Sequence, residues 1–336
     1  MFGTYHDEAE FALGAVEQAA ELCRWIQRDM VVPELTKDDR SPVTVADFAS
    51  QAIVASRLLE AYPEDSLVAE EGSQDLRRPR ASEALRAVVN YVRELEPAAD
   101  AETVWRWLDH GSGEPSGRFW TLDPIDGTAG FLRGDQWAVA LALVEGGDVV
   151  MGVLACPRLD PAGRPDFDGP GSVQIGVRGE GAWSRAIGGG EFQQLRVSER
   201  EDPSEARILG SVEPSHTDMH AMDRLRERLG SQHDLIKMDS QAKFTAVACG
   251  RGDLILRLLA PDRLEYREKI WDQAAGSRVV QEAGGRVTDL RGRPLDFTAG
   301  ERLTHNVGVL VSNGELHEPA LRALRAEGAH HPEIEL

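Results

Sequence analysis

The sequence predicts an α/β or α+β sandwich, and three observations carry that reading. Segments with apolar residues at steps of three and four alternate with short β-type runs along the chain, the pattern of layered helix and sheet. The 336 residues are 41% hydrophobic and 28% charged, enough to bury a core without disulfides or a structural metal. At about 100–200 residues per domain the length suits two domains or one large one. The Pro/Gly/Asp-rich stretch 160–171, DPAGRPDFDGPG, is the expected junction between a domain over 1–160 and one over 161–336.

The elements follow in order. Ala12, Val16, Ala19, Cys23, Ile26 and Met30 mark one face of a first helix, which Pro33 ends. After the loop LTKDDRSPV a second helix runs from about Asp47, an N-cap residue type, with Phe48, Ala52, Ala55, Leu59 and Tyr62 on its buried face. Ser66–Ala69 is a short strand that stops at Glu70-Glu71-Gly72, with Glu71 expected in solvent. Leu85, Val88, Val89, Val92 and Leu95 mark another helix. Arg118–Leu122 is a strand delivering Asp123-Pro124-Ile125-Asp126-Gly127-Thr128 to a short helix. Trp137–Val144 and Val149–Cys156 form a hairpin around Gly146-Gly147-Asp148. The second half mixes strands near 173–178, 207–211, 233–237, 253–258 and 307–311 with helices near 217–229, 240–249, 271–283 and 314–326. The tail AEGAHHPEIEL is expected to fray.

Charge and cysteines narrow the function classes. With 37 Lys+Arg against 57 Asp+Glu the net charge is −20, which excludes long nucleic acid and anionic membranes as general partners but not a small anionic ligand. Cys23, Cys156 and Cys249 are scattered, so neither a zinc cluster nor a disulfide framework is indicated, and a reducing, cytoplasmic setting is expected. The acidic start MFGTYHDEAEF is not a secretory signal, and no apolar run approaches the ~18 residues of a membrane span.

The chemistry lies in the acids. In Asp123–Thr128 two carboxylates and the Ile125 carbonyl offer hard oxygen ligands, which suit Mg²⁺. Gly127 permits close approach of a substrate, and the amides of Gly127 and Thr128 open a helix that can cradle phosphate. A bare D-x-x-D-G-T is by itself more simply an Asp turn with a helix cap. Glu70 after a strand, Asp39 in the loop before the second helix and Asp272 at a late helix start add to a set of five acids that can form a polynuclear metal site.

Taken together, Val68-Ala69-Glu70-Glu71, Asp123–Thr128 and Trp271-Asp272 resemble the signature of the lithium-sensitive, Mg²⁺-dependent phosphomonoesterases of the inositol monophosphatase superfamily. The resemblance covers most of the chain and implies an αβαβα sandwich of the inositol monophosphatase/sugar phosphatase type. Four segments look like the 3'(2'),5'-bisphosphate nucleotidase branch: Lys37-Asp38-Asp39-Arg40-Ser41-Pro42-Val43-Thr44, Asp126–Gly134, Asp239-Ser240-Gln241-Ala242-Lys243-Phe244 and Glu268-Lys269-Ile270-Trp271-Asp272. Ala129 departs from the Lys usual in that branch.

The resemblance implies two to three Mg²⁺ per site. Glu70, Asp123 and the Ile125 carbonyl would hold one, Asp123, Asp126 and Asp272 a second, and Glu70 with Asp39 a weaker third. Asp39 and Thr128 would orient and deprotonate a metal-activated water. His216, Ser240, Lys243 and Arg257, with Gly127 and Thr128, would contact the nucleotide. Arg278, one turn past Asp272, is a further cation that could face the phosphate. The implied activity is removal of the 3'-phosphate of 3'-phosphoadenosine 5'-phosphate (PAP), giving AMP, and conversion of the related phosphosulfate to adenosine 5'-phosphosulfate, a role in sulfur metabolism. An inositol mono- or polyphosphate phosphatase is the alternative, and a non-catalytic nucleotide-binding regulator the least favoured reading. A monomer or a homodimer fits the superfamily.

Overall fold

The structure is a computed structural model that describes residues 2–29, 35, 36, 42–212, 218–260 and 262–328. Met30, Pro33, most of the LTKDDRSPV loop and residues 329–336, where fraying was expected, lie outside the described residues.

The first helix, α1 (His6–Arg28), buries the Ala12, Val16, Ala19, Cys23 and Ile26 face as expected. Two short strands, β1 (Leu35–Thr36) and β2 (Pro42–Val43), precede α2 (Val45–Ala61). The cap of α2 is Thr44 rather than Asp47. Thr44 accepts from the Ala46 N–H, and Asp47 reaches back to the Thr44 N–H, a reciprocal capping pair. Then come β3 (Ser66–Ala69), α3 (Ser82–Val92), α4 (Ala101–His110), β4 (Arg118–Asp126), α5 (Thr128–Arg133), β5 (Ala138–Glu145), β6 (Asp148–Cys156), β7 (Ser172–Val177), β8 (Gly181–Ala186) and β9 (Gln193–Gln194). The chain continues through β10 (Ile208–Gly210), α6 (Met219–Leu229), β11 (Ile236–Lys237), α7 (Ala242–Ala248), β12 (Leu254–Arg257), α8 (Ala274–Glu282), β13 (Arg286–Thr288), β14 (Val309–Ser312) and α9 (His317–Glu327).

Strands β3 to β9 form one sheet in sequence order. The β3–β4 pair is parallel and the remaining pairs are antiparallel. A parallel pair cannot be joined by a hairpin, which is why α3 and α4 lie between β3 and β4. The second sheet has the order β11-β10-β12-β14-β13. The loop 160–171, expected at a domain junction, instead joins β6 to β7, two neighbouring strands of the first sheet. The passage to the second sheet comes after Gln194.

Alternation along the strands sets the layers. In β5, Val139, Leu141 and Leu143 pack with α1 and α2, while Ala138, Ala140, Ala142 and Val144 face α7, α8 and the second sheet. A third apolar cluster joins α6 and α9 to the outer face of the second sheet. The order helix, sheet, helix, sheet, helix is the αβαβα sandwich implied by the sequence. Among the described residues no helix is long and apolar enough to cross a membrane.

Small residues place α8 close to the first sheet. A Cβ at Gly152 would overlap the Ala275 carbonyl, and one at Gly176 would sit 2.8 Å from Val279 Cα. The end of β4 that carries Asp123 and Asp126 and the turn that carries Asp272 are thereby brought together.

Candidate active site

One cleft gathers residues from β3, β4, α5, α7, β12 and the turn before α8. Glu70, Asp123, Ile125, Asp126, Gly127, Thr128, Ser240, Lys243, Arg257 and Asp272 all line it, as does Ala129. Asp39 and His216 lie outside the described residues.

β4 explains how the two central acids converge. Its pairing with β5 is regular up to Asp123, shifts at a bulge, and resumes at Asp126. The strand thus runs through the Pro-Ile segment rather than ending at Leu122. Gly127 then takes φ 87°, a left-handed conformation open to glycine, and caps α5. A Cβ on Gly127 would stand 2.9 Å from Ser240 Cβ, so the turn after β4 and the turn before α7 are in direct contact. Ser240 itself holds φ 62°, rare for a non-glycine residue, and its hydroxyl accepts from the Ala242 N–H at 3.1 Å. The cap position of α7 belongs to Gln241, not Ser240.

The acids repel one another in a poorly solvated place. Asp123 is 2% exposed. Burial first, then the carboxylates of Glu70, Asp126, Asp272 and Asp47, push its pKa well above the usual carboxylate range. Asp272 is raised in the same way by burial and by Asp126, Glu268 and Glu70. Asp126 is raised by burial, with Lys243, the Gln241 amide (2.6 Å) and Arg257 acting in the opposite direction.

Among the described residues Asp123 Oδ1 is buried with no hydrogen-bond donor. A carboxylate oxygen in that condition is satisfied by a proton or a cation. At neutral pH several converging carboxylates with a free buried oxygen suit a hard divalent cation. The fit rests on this donor chemistry: among the described residues no group of three or more His, Cys, Asp or Glu is drawn together closely enough to mark a metal site by geometry alone.

Two cations line the same cleft. Lys243 is 5% exposed, donates from Nζ to the Met238 carbonyl at 3.2 Å, and is held down to about 8 by burial and by Arg257. Arg257 is paired with the buried Glu268 at 3.1 Å, which keeps it charged and fixed in the cleft wall. Arg278 does not join them. It points away to the Val149 carbonyl, Asp148 and Glu282.

Two residues gain importance that sequence reasoning did not give them. The Thr128 hydroxyl lies 3.3 Å from Asp47 Oδ1, so Asp47 touches a residue of the cleft as well as completing the capping pair with Thr44. Its place three residues after Thr44 is the signal, although a capping pair alone satisfies that spacing. Glu71, expected in solvent, is buried because Gln51 clamps its backbone, accepting from its N–H at 2.9 Å and donating to its carbonyl at 2.5 Å.

The family model for the inositol monophosphatase family matches residues 6–329. The chain belongs to the inositol monophosphatase family. Members of this family are metal-dependent phosphatases. A 3'(2'),5'-bisphosphate nucleotidase of Oryza sativa is 41% identical to this family member over 340 residues, 96% of this chain and 94% of the relative. One of Schizosaccharomyces pombe is 35% identical over 350 residues, 99% of each. Among solved structures, the IMPase of Thermotoga maritima superposes with a TM-score of 0.66 at 21% identity, covering 96% of this chain and 98% of the other. That similarity shows the shared family fold.

Proposed function

We propose that this chain is a Mg²⁺-dependent 3'(2'),5'-bisphosphate nucleotidase that cleaves the 3'-phosphate of PAP to give AMP and inorganic phosphate, and that converts the corresponding phosphosulfate to adenosine 5'-phosphosulfate. The observation that carries the reading is that one cleft is lined both by several carboxylates and by two cations. Glu70, Asp123, Asp126 and Asp272 line it together with Lys243 and Arg257. The names of the full-length relatives support the same substrate.

Glu70, Asp123, the Ile125 carbonyl, Asp126 and Asp272 would hold two Mg²⁺, with a third near Glu70 and Asp39. When bound, such ions neutralise the transferring phosphoryl group and make water a competent nucleophile at neutral pH. The protein's own part is orientation and charge. The Thr128 hydroxyl donates to Asp47 or to the Ile125 carbonyl, which leaves its lone pairs free to hold an attacking water. Asp39 is assigned with Thr128 to take up that water's proton. Gly127, with no side chain, lets the 3'-phosphate reach the backbone amides of Gly127 and Thr128. Lys243 and Arg257 would pair with the 5'-phosphate, with Ser240 and His216 completing its surroundings.

Phosphate release from PAP, inositol 1-phosphate and inositol 1,4-bisphosphate, each with Mg²⁺ and with excess chelator, tests the reading. PAP should be hydrolysed far faster than either inositol compound, and only with metal. Faster turnover of an inositol phosphate would transfer the assignment to an inositol phosphatase.

A further inference from the structure

Gln241 sits in the turn between β11 and α7, is 1% exposed, and hydrogen-bonds to Asp126, to the turn before α8 and to the start of α8. Its backbone N–H donates to Asp126 Oδ2 at 2.6 Å. Its Nε2 donates to the Trp271 carbonyl at 3.0 Å, in the peptide unit that leads into Asp272. Its Oε1 accepts the Gly276 N–H at 2.9 Å.

The last bond has a logic of its own. The first-turn amides of a helix lack intrahelical acceptors. α8 receives no side-chain cap from its own N-cap residue, Gln273. Gln241 supplies the acceptor from another element, and so fixes the start of α8 against the turn before α7. That turn is itself anchored: Asp239 is ion-paired with Arg133 of α5 and accepts the Val212 N–H at 3.3 Å.

Asp126 and Asp272 are carboxylates on different elements, and like charges in a buried site drift apart unless something ties their backbones. Gln241 is bonded to both regions at once. We infer that Gln241 is a positioning residue that holds Asp126 and the Asp272 turn in register and thereby sets the divalent-cation affinity of the cleft. This rests on the metal-ligand reading given above. Groups that orient metal ligands are worth about 10–100-fold in affinity or activity.

The test is Mn²⁺ binding to the full chain without nucleotide, followed by electron paramagnetic resonance. Gln241→Met keeps the length and the backbone N–H and removes both side-chain bonds. Its Mn²⁺ affinity should fall about 10–100-fold, with the circular dichroism spectrum and, at saturating metal, the KM for PAP unchanged. Should Gln241→Met not fold, Gln241→Asn takes its place, since its amide is one methylene too short to span Trp271 and Gly276. A variant with lower thermal stability but parental Mn²⁺ affinity overturns the inference and leaves the metal-site reading standing. A parent protein that binds no Mn²⁺ overturns the metal-site reading itself, and the inference with it.

Discussion

Thr128 Oγ1 lies 3.3 Å from Asp47 Oδ1, while Asp47 Oδ2 accepts both the N–H and the hydroxyl of Thr44, at 2.8 and 2.7 Å. One carboxylate therefore completes the capping pair of α2 and reaches the candidate catalytic hydroxyl. Thr128→Ala removes the hydroxyl and leaves the Thr44–Asp47 pair untouched. On the proposed chemistry kcat should fall by about 10²–10⁴, with Mn²⁺ affinity and Tm as in the parent. A parental kcat in this variant would take Thr128 out of the water-orienting role.

Asp123 is the acid whose environment is most hostile to its charge. It is buried, one oxygen has no donor among the described residues, and four other carboxylates raise its pKa. Asp123→Asn should abolish turnover without unfolding the protein. It should also raise the Tm measured in chelator, because the substitution removes a repelled, buried charge. Added Mg²⁺ should stabilise the parent by mass action and the variant little. Differential scanning fluorimetry with and without metal separates these outcomes, and a lower Tm for the variant in chelator would contradict the account.

Much of this cleft is legible in the sequence where the signal is local. Asp123–Thr128 follows an apolar run and contains its own turn chemistry, and the near-continuous apolar runs of β5 and β6 suit strands buried on both faces. What stays hidden depends on partners far along the chain. Gln241 is an ordinary polar residue until Asp126, Trp271 and Gly276 surround it. Helix α4 escapes notice because only Val104, Trp107 and Leu108 are buried in its ten residues. The sheet boundary is misplaced because the Pro/Gly/Asp-rich stretch 160–171 has the composition of a linker, whereas it is a loop between the neighbouring strands β6 and β7. The start of α8 falls at Ala274 because the residues before it form turns that aim Asp272 into the cleft.

Lys243 should govern recognition of the second phosphate. A charge-assisted hydrogen bond contributes about 1.5–3 kcal/mol, so Lys243→Met should raise the KM for PAP by about 10–100-fold. Hydrolysis of a substrate with a single phosphate, such as inositol 1-phosphate, should be unaffected. Burial and Arg257 hold this lysine to about 8, so it loses its charge as the pH rises through that value. The parent's KM for PAP should therefore climb above pH 8, whereas the variant's stays level. Steady-state kinetics from pH 6.5 to 9.5 reads both effects.

A separate pH effect belongs to His317, which is 0% exposed at the start of α9. Its Nδ1 lies 2.8 Å from the Ser312 hydroxyl and its Nε2 lies 3.0 Å from that of Thr288. The Thr288 hydroxyl donates to the Asp289 carbonyl at 2.8 Å, which leaves it to accept from Nε2–H and assigns the neutral tautomer. Burial, and then the Arg286 charge, hold the pKa down to about 4. An unfolded chain takes up this proton near pH 6.5, before the folded one does, so the stability associated with His317 is complete above pH 6.5 and is lost as the pH falls towards 4. The loss is up to about 3 kcal/mol. His317→Gln cannot titrate. Its stability deficit relative to the parent in urea denaturation should be largest at pH 7 and should shrink steadily down to pH 4.5. A deficit that stays constant over this range would show that His317 is not buried in its neutral form.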